Sequence, residues 1–272
     1  MNLDGARAVV TGAGSGLGRA LCLELARHKA QVLVSDWDVA SAEETARQVE
    51  QAGGKALVQA CDVTKPEQVE ALAETAFSRL GGVDLLINNA GVACGGQVGE
   101  LPLEEWKRVL DVNLWGVIHG CHVFVPRLRK QGSGHILNIA SAAGLMSVGY
   151  LAPYSVSKAG VVSLSETLYL ELKPAGIGVT VACPTFFRTN IATAAALHTD
   201  PKLTQTGDKL VNQARIEADT VARKCLRAVA KGERYTLPIA DGRWAWRLKR
   251  LSPDVFLYAT HLVQQRLMKE KG

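Results

Sequence analysis

Tyr154 and Lys158 stand four residues apart in the run Tyr154-Ser155-Val156-Ser157-Lys158, and on a helix that spacing puts both on one face. A phenol with an unperturbed pKa of about 10 is a weak base at neutral pH, but an adjacent ammonium favours the phenolate and draws the pKa down. Such a pair can exchange a proton with a hydroxyl or carbonyl oxygen. Ser141, thirteen residues before the tyrosine, offers a hydroxyl that could donate to the same oxygen and hold it in place. The blander alternative is a snorkelling helix pair and a plain loop serine.

A partner for that chemistry is suggested near the start of the chain. The apolar run Arg7-Ala8-Val9-Val10-Thr11 ends in glycines at alternate positions, Gly12, Gly14, Gly16 and Gly18, and apolar residues with helical spacing follow from Ala20. A strand, a tight turn and a helix leave the first helical amides without intrahelical partners, aimed with the positive end of the helix dipole at one point. A phosphate suits that point, and Gly12, Ser15, Gly16, Leu17 and Gly18 are the residues expected against it. The strict G-x-G-x-x-G pattern does not fit, because its last place falls on Leu17. A second strand, Gln31 to Asp36, ends in an acid eighteen residues past Gly18. A carboxylate there accepts from the two hydroxyls of a ribose and repels a 2′-phosphate, so Asp36 argues for NAD over NADP.

Further elements repeat the pattern. A polar helix over Ala40 to Gln51 leads to a strand at Ala56–Cys61, a helix over Pro66 to Leu80 closes on Gly81-Gly82, and a strand at Asp84–Asn88 runs into Asn89-Ala90-Gly91. A long helical region from Leu103 to Lys130, bent near Val112-Asn113, precedes a strand at His135–Ile139; a helix over Tyr154 to Lys173 precedes another at Gly176–Cys183. Alternation of this kind predicts a doubly wound parallel α/β sheet of Rossmann type, covered on both faces. Ligands bind beyond the carboxyl ends of the strands in such sheets, where Gly12, Asp36, Asp62, Asn89, Ser141 and Pro184 would lie.

Composition narrows the function classes. A chain of 272 residues with 47% hydrophobic content suits one well-buried domain with a tail. The division expected is a catalytic body over 1–241, with a substrate lid at about 190–215, and a helical extension over 242–272. Six scattered cysteines without C-x-x-C spacing read as reduced, buried thiols. With no charged leader followed by an apolar core, and no apolar run of membrane-spanning length, a cytoplasmic protein is expected. The net charge of +5 comes from residues 242–272, which hold seven Lys or Arg against Asp254 and Glu270, so the neutral body excludes nucleic-acid binding as its role. His119-Gly120-Cys121-His122 offers ligand atoms for zinc, but no second ligand pair accompanies it and no metal is expected.

Taken together, Thr11-Gly12-Ala13-Gly14-Ser15-Gly16-Leu17-Gly18, Asn88-Asn89-Ala90-Gly91 and Tyr154-Ser155-Val156-Ser157-Lys158 resemble the T-G-x-x-x-G-x-G, N-N-A-G and Y-x-x-x-K motifs of the classical short-chain dehydrogenases/reductases, over about residues 5–240. The resemblance implies a catalytic set of Asn113, Ser141, Tyr154 and Lys158. It further implies that Lys158 holds the nicotinamide ribose, that Asn113 orders a water beside it, and that Asp62 and Val63 meet the adenine, although a strand-end Asp capping the next turn is the alternative for Asp62. Asn89, Ala90, Gly91, Pro184 and Thr189 complete the implied cofactor contacts, with Asn89 read as a brace rather than a direct ligand.

One departure stands out. The family's usual Pro-Gly after the sixth strand is Pro184-Thr185 here, and the added side chain would narrow the pocket, with Phe186 and Phe187 as an apolar wall. The expected activity is the NAD-dependent interconversion of a secondary alcohol and a ketone on a lipophilic substrate. A non-catalytic NAD-binding scaffold and an NADP-dependent carbonyl reductase are the alternatives. The helices over Leu103–Lys130 and Tyr154–Lys173 are apolar on more than one face, and the resemblance makes them the contact of a homodimer or homotetramer. In the tail, Trp244 and Trp246 among Arg243, Arg247, Lys249 and Arg250 read as a peripheral membrane contact at the inner face, or as a cover for the pocket or a neighbouring subunit.

Overall fold

The computed structural model describes residues 1–185, Phe187 and 216–269, with side chains up to 265 in the last helix. The lid expected at about 190–215, together with Phe186 and Thr189, lies outside the described residues. Seven strands form one parallel sheet in the order β3-β2-β1-β4-β5-β6-β7: β1 (Arg7–Thr11), β2 (Gln31–Asp36), β3 (Lys55–Ala60), β4 (Leu85–Asn88), β5 (His135–Ile139), β6 (Gly178–Ala182) and β7 (Tyr235–Thr236). The strand order reverses between β1 and β4, which opens a crevice at their carboxyl ends.

Both faces are covered, so the strands read as continuous apolar runs and alternate residues enter opposite cores. On one face Ala8, Val10, Val32 and Val34 pack with Leu21 and Leu25 of α1 (Gly16–Arg27), Val49 of α2 (Val39–Gln51) and Val229 of α8 (Ala218–Lys231). On the other, Val9, Leu33, Leu86 and Ile136 pack with Leu72 of α3 (Pro66–Arg79), Phe124 of α5 (Gly116–Gln131) and Val161 of α7 (Ala152–Leu172).

The expected bend takes a definite form. Helix α4 (Leu103–Leu110) passes into a π turn at Asp111–Trp115 before α5, and the turn carries Asn113. A single inserted residue of this kind re-aims a side chain without ending the helix. Contrary to the expectation that no segment has spanning length, the continuous helical run Leu103–Gln131 is long and apolar enough to cross a membrane by length and composition. Its inner face is spent on the core, where Val117, Cys121, Phe124 and Leu128 are buried.

A buried polar chain fixes α7 on the sheet. Asn88 Nδ2 donates to Asn138 Oδ1 at 2.9 Å, and Asn138 Nδ2 donates to Ser165 Oγ at 3.0 Å. Removing one member would strand a buried partner, at a cost of roughly 1–3 kcal/mol. Gly120 of α5 permits the arrangement, since a Cβ there would stand 2.3 Å from Asn88 Oδ1.

Three elements escaped the sequence pattern: α8 and the two-residue β7 in the last quarter of the chain, and the short α6 (Ala142–Leu145) that Ser141 caps. The tail forms two helices, α9 (Ala240–Leu251) and α10 (Pro253–Lys269).

Candidate active site

Ser141 leaves β5 in an extended conformation and its hydroxyl accepts from the amide of Ala143 at 3.1 Å, capping α6. The same oxygen lies 3.5 Å from the carbonyl of Pro184, at the end of β6. Tyr154 enters from the first turn of α7. Crowding by protein pushes its phenol up from the ordinary value, and the neighbouring Ser141 hydroxyl draws it part of the way back.

Lys158 lies one turn further along α7 and is buried, with Nζ 5.8 Å from the Tyr154 ring centroid. Its ammonium donates to the Ile139 carbonyl oxygen at 2.9 Å, and burial brings its pKa down to about 8. Desolvation raises the phenol, contrary to the acidification expected from Lys158. An ammonium has three donors, of which the Ile139 bond uses one.

Asn113 is fully buried in its π turn. Its side chain pairs with the backbone of Val92 in both directions, accepting from the amide at 2.7 Å and donating to the carbonyl at 2.8 Å, and Nδ2 also lies 3.1 Å from Ser157 Oγ. Gly91 passes so close that a Cβ would stand 3.3 Å from Asn113 Oδ1 and 3.4 Å from Lys158 Nζ. The structure thus brings Asn113, Gly91 and Lys158 together, and Ser141 to Tyr154.

Across the crevice lies the glycine turn. Gly12 has φ of +62°, and a Cβ there would meet Ala90 Cα at 2.6 Å; at Gly18 it would stand 2.0 Å from the Gly12 carbonyl oxygen. These two glycines are demanded by the packing of the turn on itself and on β4. Gly16 also has positive φ, +52°, and Ser15 caps α1 in extended conformation without a side-chain hydrogen bond, so the first amides of α1 have no hydroxyl cap. Asp36 is buried at the end of β2 and accepts from the amide of Gly14 at 2.8 Å and from that of Asp38 at 3.1 Å.

Other expected contacts are engaged with the chain itself. Asn89 Nδ2 donates to the carbonyls of Thr11 and Gly12 at 2.9 and 3.0 Å, the bracing role expected of it. Asp62 Oδ1 accepts from the amide and hydroxyl of Thr64, which is the turn-capping alternative. Val63 is buried against Gly116, and its carbonyl lies 2.9 Å from Nδ1 of His119.

Two residues of the loop after β6 have partners of their own. The Thr185 hydroxyl donates to Asp241 Oδ1 at 2.9 Å and its methyl lies over Gly242, at the start of α9. Phe187 is partly buried and packs against the α1 face of the core. Sequence reasoning missed three supporting residues. Arg19 bonds the Gly14 carbonyl and Thr45, Thr11 Oγ1 accepts from the amides of Asn89 and Ala90, and Ser157 lies between Asn113 and the Tyr154 carbonyl. Thr11 and Ser157 sit inside motifs, at positions whose side-chain chemistry was the available signal.

The short chain dehydrogenase family model matches residues 6–200. The chain belongs to that family. A crystal structure of a short chain dehydrogenase/reductase from Burkholderia phymatum in complex with NAD superimposes with a TM-score of 0.87 at 34% identity, covering 94% of this chain and 96% of that one. A cyclohexanol dehydrogenase of an Acinetobacter species is 37% identical over 185 residues, 67% of this chain and 73% of the relative. The probable oxidoreductase EphD of Mycobacterium tuberculosis is 41% identical over 190 residues, 70% of this chain but 32% of the relative, so this chain spans about a third of that protein's length.

Proposed function

We propose that the protein is an NAD-dependent oxidoreductase that interconverts a secondary alcohol and a ketone on an apolar substrate. The observation that carries this reading is the meeting of Ser141 with Tyr154 beside the buried Lys158, across the sheet's switch point from the glycine turn. The cyclohexanol dehydrogenase and the NAD-bound structure among the similar proteins support the reaction class and the cofactor.

The residues fit a dinucleotide. The uncapped start of α1, with Ser15, Gly16, Leu17 and Gly18, would take the pyrophosphate. Asp36 retains lone pairs on both oxygens for ribose hydroxyls, and a buried carboxylate disfavours a 2′-phosphate, hence NAD. Lys158 would use its other donors on the second ribose, beside Asn113 and with Ala90, Gly91 and Pro184 along the crevice; Thr189 is assigned on the family pattern alone. Asp62 and Val63 would face the adenine with surfaces that their own hydrogen bonds leave over.

When bound, the nicotinamide supplies or accepts the hydride. Ser141 would donate to the substrate oxygen and fix its position, and Tyr154 would give that oxygen a proton in ketone reduction or take one from it in alcohol oxidation. The test is NADH absorbance over a panel of lipophilic alcohols and ketones, with Tyr154→Phe as control. A protein that binds NADH yet turns over none of the panel would favour the scaffold alternative.

We take residues 1–241 as the catalytic body. The six free, buried cysteines support a reducing, cytoplasmic setting. A homodimer or homotetramer is proposed from exposed apolar residues such as Trp115 and Leu170 on helices that also feed the core. A monomeric mass by light scattering at micromolar concentration would rule it out.

A further inference from the structure

The two tail helices are fastened to the substrate side of the site and carry a second apolar stripe that faces away from it. Inward, Trp246 stacks on Tyr235 with ring centroids 5.7 Å apart, Phe256 packs on Ala142 and Met146, and Lys249 Nζ donates to the Leu145 carbonyl at 2.7 Å. These contacts seat the hairpin on the segment joining Ser141 to Tyr154. Outward, Trp244, Leu248 and Leu251 fall at helical spacing on α9, and Val255, Tyr258 and Leu262 do so on α10. Trp244 is 69%, Leu251 85% and Tyr258 67% exposed, so these are not residues at the rim of a core. The two tryptophans expected to act together therefore divide, Trp246 inward and Trp244 outward.

The charge around this stripe is one-sided. Between 242 and 265 the sequence holds Arg243, Arg247, Lys249 and Arg250 against Asp254 alone; Arg243 and Lys249 bond the carbonyls of Leu237 and Leu145 and Arg250 lies over Trp246, which leaves Arg247 as the cation set on the stripe itself. The Arg247 guanidinium lies 5.2 Å from the Trp244 ring centre, so cation and indole present together. A two-fold contact with another copy of the chain would bring this net-basic patch against a second net-basic patch, because such an interface uses one patch twice. An anionic bilayer meets both features, with headgroups for the guanidinium ions and the acyl boundary for Trp244, Leu251 and Tyr258.

We propose that the α9–α10 hairpin docks the protein on an anionic phospholipid surface. Docking would place the Ser141–Tyr154 segment beside the membrane, so that lipid-dissolved substrates reach the site without crossing water. That consequence rests on the alcohol–ketone reading; the docking itself is measured without turnover, so the two fail separately.

The experiment is co-sedimentation of the full chain with vesicles of phosphatidylglycerol and phosphatidylcholine, against phosphatidylcholine alone. Pelleting is expected with the anionic vesicles at low salt and should decline as salt rises. At about fivefold per basic residue, Arg247→Gln with Arg250→Gln should weaken binding about thirtyfold, and Trp244→Ala with Leu251→Ala should weaken it with no change of charge. Unchanged melting temperatures would show that these exposed substitutions leave the fold intact. A full-length protein that stays in the supernatant at low salt overturns the proposal, as does binding that neither double variant weakens. Light scattering on the same samples decides the competing occupant: a fall in mass caused by Trp244→Ala with Leu251→Ala assigns the stripe to a second copy and overturns docking.

Discussion

The Oδ2 atom of Asp36 accepts the amide hydrogen of Gly14 at 2.8 Å, and a Cβ on Gly14 would stand 2.9 Å from that same oxygen. The acid at the end of β2 and the glycine turn at the end of β1 are thus one unit. The carboxylate holds the turn in place and the turn holds the carboxylate facing the crevice. A side chain at residue 14 would break the contact from one side, and loss of the acid would break it from the other.

Asp36→Ala should weaken NADH binding roughly ten- to a hundredfold, the worth of hydrogen bonds to a charged group, and should relax discrimination against NADPH. Fluorescence titration of both cofactors on both proteins measures this. Equal affinity of the unmodified protein for NADH and NADPH would remove Asp36 as the selector.

Tyr154→Phe deletes one hydroxyl from a ring whose packing stays the same. Fold and NADH affinity should persist while turnover drops about a hundred- to ten-thousandfold, the usual contribution of a positioned acid or base. Stopped-flow hydride transfer at near-normal rate in this variant would mean that another group carries the proton.

The raised Tyr154 and the lowered Lys158 set a direction with pH. A phenol held above its ordinary value stays protonated through neutrality, so ketone reduction should be nearly flat from pH 6 to about 8. Alcohol oxidation needs the phenolate and should climb over the same interval. Lys158, at about 8, begins to lose its charge at the upper end, which would cap that climb. Initial rates in both directions across this range are the measurement, and an oxidation rate that peaks below pH 7 would contradict the assignment.

The legible parts of the molecule were those in which one residue type answers one local demand. Alternating strands and helices gave the sheet because both faces bury apolar runs, and the glycines near residue 12 marked the turn because a Cβ would strike Ala90. Asn113 was placed at a bend, but the π turn there is matched to the pairing of its side-chain amide with the backbone of Val92, twenty-one residues earlier, which no local pattern shows. Thr185 could not be read, because its direction is set by Asp241, fifty-six residues away. The two residues of β7 gave no period to detect, and they pair with β6 only once α8 has returned the chain to the sheet edge.

The Thr185–Asp241 bond suggests a simple test of the departure from Pro-Gly. Thr185→Gly should loosen the start of α9, since it removes both the hydrogen bond to Asp241 and the methyl contact on Gly242. Faster amide hydrogen exchange over 240–251, with exchange in the central strands unchanged, is expected. Equal exchange in α9 for the two proteins would show that Trp246 and Lys249 hold the helix by themselves.

A final prediction concerns acid stability and turns on His135, which is buried in β5 with Nε2 2.8 Å from Thr180 Oγ1. Thr180 Oγ1 donates its proton to the Glu233 carbonyl at 2.6 Å, so the imidazole must be the donor of the pair through Nε2. A Cβ on Gly178 would stand 2.2 Å from Nδ1, so the glycine clears room for the ring. Burial depresses the imidazole from 6.5 to about 4. Below pH 6.5 the unfolded chain binds a proton that the folded one refuses, so the contribution of the neutral ring is complete above 6.5 and is lost as pH falls toward 4. The full loss amounts to about 3 kcal/mol at 1.36 kcal/mol per pKa unit. Asp84, held low by Arg7, gives up its own contribution only below the ordinary carboxylate range, so the two windows separate. Urea unfolding at steps between pH 7.5 and 4.5 should show stability declining in the unmodified protein and much less so in His135→Gln, which keeps a donor but cannot titrate. Parallel declines in the two proteins would remove His135 from the account of acid sensitivity and leave it as a packing residue at the start of β5.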